Sequence, residues 1–146
     1  MKASAITMAM LAALMGTSPA ALPAEPSARA VVEAMFAAFN RHDARAMATL
    51  YAADARLTSS DFCAPRVGQA NVERTYQALF DEFPDITDHV DLYIVEGNHV
   101  AVRFISRSTL TGKAFTLPIV TFLTVRGGLI QSDDSTFDNR GRSCVV

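Results

Sequence analysis

The chain has 146 residues, half of them hydrophobic and 19% charged, which is one domain's worth of ordinary globular sequence and excludes a disordered chain. Its net charge is −2, arginine outnumbers lysine, and no basic run is long enough to track a phosphate backbone, so no nucleic-acid partner is expected.

The first segment reads as an address. Lys2 supplies a short positive start, Ala5 to Met15 is uncharged and apolar, and Gly16, Pro19 and Pro23 break any helix. Small residues come next in two places suited to signal peptidase, with cleavage after Ala20 or after Ala24. The apolar run falls short of the ~20 residues that span a bilayer, so no stable membrane anchor is expected after cleavage. This predicts a signal peptide over residues 1–24, a mature domain over 25–146, and a periplasmic or secreted location. Export changes the meaning of the two cysteines, Cys63 and Cys144. In an oxidising compartment an even count predicts one disulfide, tying the C-terminal tail to an internal loop.

The mature chain begins with helices. Ser27 is a plausible N-cap for a helix whose Val31, Met35, Ala38 and Phe39 recur at helical spacing. Asp43 can cap a second helix over ARAMATLYA, and ARLTSS then reads as a short strand carrying Ser59 towards Asp61. A loop with Pro65 precedes a third helix, GQANVERTYQALFDEF, which Pro84 ends. From His89 the period changes to 2, with Val90, Leu92 and Ile94 on one face. Gly97-Asn98, Thr111-Gly112 and Arg126-Gly127-Gly128 divide the C-terminal part of the chain into four strands. Helices and then an antiparallel meander indicate an α+β fold. Phe36, Phe80, Phe104, Val120 and Phe122 read as core or as the wall of a cavity.

The stretch GGLIQSDDSTFD carries the candidate chemistry. Adjacent strand residues face opposite ways, so Asp133 and Asp134 cannot share a face unless the strand bulges. Leu129 and Phe137 make one face the more apolar, which places Asp133 and Ser135 inward and leaves Asp134 and Asp138 on the other side. A bulge between Gly128 and Ser132 reverses that assignment. A carboxyl inside an apolar cavity has a raised pKa and suits acid/base work. The alternative is that both acids are solvated at the open end of the sheet, or paired with Arg103 or Arg107. His89 and Asp91 have a spacing that would suit two metal ligands, but a third is not evident, so no metal site is assigned.

AAFNRHDARAMATLYAADARL resembles the opening of the nuclear transport factor two-like superfamily. FPDITDHVDLYIVEGNHVAVRFISRSTLTG is similar to the matching stretch of its SnoaL-like (polyketide cyclase-like) branch, and GGLIQSDDSTFD stands where that branch closes its sheet. The resemblance covers roughly residues 29 to 138. It implies a cone-shaped barrel, three N-terminal helices packed on a strongly curved, mainly antiparallel sheet around one cavity, and commonly a homodimer. The ketosteroid isomerases of the superfamily place their oxyanion tyrosine, general base and protonated aspartate on Met35, Ser59 and Val120 here. None of the three can perform those roles, so that isomerase chemistry is not expected, although Asp61 lies two residues from Ser59. The branch's paired acids on its last strand fall on Ser135 and Asp138, and only the second is an acid. Three function classes fit. One is an exported, cofactor-independent enzyme (isomerase, cyclase, dehydratase or hydrolase type) acting on a small hydrophobic molecule through Asp133, Asp134 or Asp138. The others are a non-catalytic binder of such a molecule and a dimeric interaction domain of the cell envelope.

Overall fold

The computed structural model describes residues 24–145, so the expected signal peptide lies outside the described residues apart from its last position. Three helices, α1 (Ala28–Asn40), α2 (Ala44–Thr49) and α3 (Gln69–Glu82), pack on one face of a six-stranded sheet. The strands are β1 (Tyr51–Ser59), β2 (Arg66–Val67), β3 (Thr87–Glu96), β4 (His99–Ser108), β5 (Phe115–Arg126) and β6 (Leu129–Thr136). Their order is β2-β1-β6-β5-β4-β3, with β1 and β6 parallel and every other pair antiparallel. The α+β expectation holds, as a mixed sheet with two free edges rather than a closed barrel.

The caps act as their residue types suggest. Ser27 Oγ accepts from Ala30 N at 3.2 Å, and Asp43 Oδ1 accepts from Ala46 N at 2.8 Å, each meeting an orphan donor of a first helical turn. α1 buries Val31, Val32, Met35, Phe36, Ala38 and Phe39 against the sheet. α2 stops at Thr49, earlier than its composition suggests. Tyr51 instead starts β1, where it is fully buried and Leu50 O receives Ile130 N of β6 at 2.8 Å. Tertiary pairing overrides a weak helical propensity there.

On β3 and β6 a bulge decides which side chains reach the interior. In β3 the pairing with β4 runs Val90↔Phe104 and then Leu92↔Arg103, so Asp91 is the extra residue. Beyond it the parity flips. Tyr93 turns inward onto Phe36, while Leu92 and Ile94, expected beside Val90, lie on the outer face, 40% and 59% exposed. In β6 the pairing with β5 runs Val125↔Ile130 and then Thr124↔Ser132, so Gln131 is extra. Ile130 therefore faces the core before the bulge and Asp133 after it.

Cys63 and Cys144 form the expected disulfide, with the Phe62↔Val145 bridge beside it.

Candidate functional site

A cavity of about 1080 Å³ lies between the helices and the inner face of the sheet. That is slightly above the ~300–1,000 Å³ typical of small-molecule pockets. Its deep wall is apolar, with Met35, Phe36, Phe39, Met47, Leu57 and Phe104 prominent. Phe36 and Phe104 meet edge to face at 4.9 Å. Several expected wall residues go elsewhere. Val120 and Phe122 point from β5 to the outer face, 36% and 59% exposed, because Ile119, Thr121 and Leu123 take the inward parity. Phe80 is core, packed on Phe39 and stacked on His42, rather than cavity wall.

Asp133 sits inside, 2% exposed, on a strand with neighbours on both sides. Tyr51 Oη donates to its Oδ2 at 2.7 Å and Thr121 Oγ1 donates to its Oδ1 at 2.5 Å. Burial raises its pKa, and the two hydroxyls oppose that by stabilising the charge. Met35 Sδ lies 3.1 Å from Tyr51 Oη, but the single phenolic proton serves the closer carboxylate. Tyr76 lines the cavity beside this pair. Burial and then the charge of Asp133 push its phenol well above the ordinary range, and Asp88 adds to the effect.

Asp88 was not among the acids the sequence singled out. It is 9% exposed, lines the cavity, and its Oδ1 has no hydrogen-bond partner. Burial lifts its pKa to about 7, against a lowering hydrogen bond from Ser106. The backbone around it is clamped. Asn40 Nδ2 donates to Asp88 O at 2.9 Å and Asn40 Oδ1 accepts from Asp88 N at 2.8 Å. His42 Nε2 donates to Ile86 O at 2.7 Å. A signal for Asp88 was available: Ile86, Asp88 and Val90 alternate, so the acid shares parity with two apolar residues. Tyr51 was hidden inside an expected helix, and Thr121 gives no sign of its role without its cross-strand partner.

The other candidates lie at the margins. Asp134 is exposed and accepts from Thr58 Oγ1 at 2.7 Å. Asp138 is exposed at the cavity rim, accepting from Arg140 N at 2.8 Å. Asp61 and Ser59 line the mouth and bond to each other at 2.5 Å. Arg103 lies on the outer face, paired with Asp91 at 2.9 Å. The interior acids are therefore Asp133 and Asp88, both borne on the sheet but on different strands.

Residues 32–132 match the SnoaL-like domain. The chain belongs to the SnoaL-like domain family. Solved structures agree on the fold. An NTF2-like protein from Cytophaga hutchinsonii is 18% identical, with a TM-score of 0.66, over 82% of this chain and 96% of that one. A protein of ketosteroid isomerase-like fold from Catenulispora acidiphila, in complex with trimethylamine, is 25% identical with a TM-score of 0.64, over 72% and 82%. A putative polyketide cyclase from Sinorhizobium meliloti is 22% identical with a TM-score of 0.60, over 72% and 92%. No curated protein matches the chain.

Proposed function

We propose that this SnoaL-like domain binds a small hydrophobic molecule in its cavity and performs cofactor-independent acid/base chemistry on it. The observation that carries the reading is Asp88: a buried carboxyl, clamped through its backbone, with one oxygen unclaimed on an apolar, aromatic wall. An unpaired buried acceptor is costly, and a ligand hydroxyl or an abstracted proton is what would satisfy it. A pKa of about 7 suits exchange in both directions near neutral pH. Asp133 plays a different part. Both its oxygens are already bonded, so it holds Tyr51 and Thr121 in place. Asp134, Asp138 and Asp61 stand outside this chemistry. The trimethylamine complex of the Catenulispora acidiphila protein supports a small-molecule occupant on this fold. The disulfide fits export to an oxidising periplasmic or extracellular space.

Titration with the neutral fluorophore N-phenyl-1-naphthylamine tests the binding. Saturable binding is expected, lost when Ile119, a cavity-wall residue, is replaced by Trp. No saturable binding, or binding indifferent to Ile119→Trp, would sink the reading.

A second reading concerns the outer face of the sheet. Leu92 and Ile94 of β3 and Val120 and Phe122 of β5 are exposed there, with Arg103 and Ala101 of β4 between them. Exposed large apolar side chains on a sheet face mark an interaction surface, and the expected homodimer would cover them.

A further inference from the structure

The mouth of the cavity is built differently from its depth. Arg66 of β2, Arg74 of α3, and Arg140 and Arg142 of the C-terminal tail all line it. Among the described residues the ion pairs are Arg29–Glu33, Arg103–Asp91 and Lys113–Glu82, so none of these four arginines has a carboxylate partner. Neutral contacts hold three of them. Arg66 Nη2 donates to Val145 O at 3.4 Å, and its guanidinium lies 5.0 Å over the Phe62 ring. Arg74 Nη2 donates to Asn71 Oδ1 at 2.6 Å, and Arg142 Nε donates to Asn139 O at 3.1 Å. A guanidinium carries five N–H donors, so each keeps donors to spare. The acids at the mouth are Asp61, engaged by Ser59, and Asp138, engaged by Arg140 N; Glu82 is paired with Lys113. The mouth is thus locally positive on a chain whose net charge is −2.

The tail is tied to the mouth by several contacts. Besides Cys63–Cys144, Val145 N donates to Asp61 O at 2.6 Å, Cys63 N donates to Val145 O at 3.0 Å, and Asn139 Nδ2 donates to Ser60 O at 3.1 Å. The disulfide therefore ties the tail that carries Arg140 and Arg142 to the loop that precedes Arg66.

We propose that the cavity's ligand is an amphiphilic anion, a carboxylate whose charged end is held by Arg66, Arg74, Arg140 and Arg142 at the mouth while its apolar body lies against the aromatic wall. This rests on the cavity-binding reading and names its ligand class. Guanidinium forks match carboxylate geometry, and a ligand charged at one end and apolar at the other matches a site with the same polarity. The disulfide makes the rim a property of the oxidised protein.

The test is displacement of N-phenyl-1-naphthylamine by three probes of equal chain length: decanoate, 1-decanol and decyltrimethylammonium. Two exposed ion pairs are worth about a fivefold to tenfold preference for decanoate over decanol, weakening as salt rises. The cation should be the poorest of the three. That decanoate-to-decanol ratio should fall towards one in Arg140→Gln/Arg142→Gln, and also in Cys63→Ser/Cys144→Ser, with circular dichroism confirming that each variant is folded. A ratio of one in the wild type, or a preference that the arginine substitutions leave unchanged, overturns the proposal. Displacement by decanol alone overturns the anion site and leaves the cavity reading intact. A dye that neither binds nor is displaced overturns both.

Discussion

Replacing Asp88 by Asn should shift stability in the variant's favour, relative to wild type, as pH rises. The carboxyl is buried, one oxygen is unpaired, and its pKa stands at about 7 against an ordinary 3.8. A folded-state pKa above the unfolded value means that the native state binds the extra proton. Stability from this group is complete below about pH 3.8, falls as pH climbs towards 7, and is flat above that. Three units at ~1.4 kcal/mol each would be about 4 kcal/mol; water entering the open cavity reduces this to roughly 2–4 kcal/mol. An amide has nearly the same shape and no such titration. Whatever constant offset it introduces, the stability difference between Asp88→Asn and wild type should grow in the variant's favour by roughly 2–4 kcal/mol from about pH 4 to about pH 8. Urea unfolding of both proteins at closely spaced pH values measures this, because titrations common to both cancel. Two pH profiles that run parallel through that range would show Asp88 to be solvated and unperturbed, and would remove the premise of the acid/base assignment.

Two further outcomes are expected. Tyr51→Phe removes the 2.7 Å hydrogen bond to buried Asp133 Oδ2 and should cost about 1–3 kcal/mol at neutral pH, read as a lower urea midpoint with unchanged slope; a loss under about 0.5 kcal/mol would mean that water replaces the phenol. Phe122→Asp, on the exposed outer face, should convert a dimer to a monomer in sedimentation velocity, and a wild-type protein that is already monomeric at high micromolar concentration refutes the outer-face interface.

Several features could be read from residues one after another. Ser27 and Asp43 announce two helix starts because capping is a local affair between a side chain and the next turn's amides. The change of period at His89 announces the strands, and an even pair of cysteines announces the disulfide. The family resemblance was legible for the same reason, being spread over many locally patterned positions, and residues 32–132 bear it out. Faces were less legible. Val120 and Phe122 look like interior residues by composition, but parity on β5 sends them out, and the bulge at Asp91 sends Leu92 and Ile94 after them. Asp133 does face inward, but not by the parity expected: a bulge does occur between Gly128 and Ser132, at Gln131, and it leaves Asp133 inward because Ile130 rather than Leu129 is the fully buried residue before it.

What the sequence by itself determined is the three helices, five of the six strands, the disulfide and the superfamily, because capping, period and cysteine chemistry act over a few neighbouring residues. The tertiary structure alone decided that β6 lies between β1 and β5, which buries Asp133 and hands its two oxygens to Tyr51 and Thr121. It alone decided that Asn40 and His42 clamp the start of β3 and turn Asp88 into the cavity. It alone drew four arginines from a short strand, a helix and the tail to one mouth. Each of these joins residues far apart in the chain, and a pairing of that range depends on strand order and register, for which local pattern carries no code.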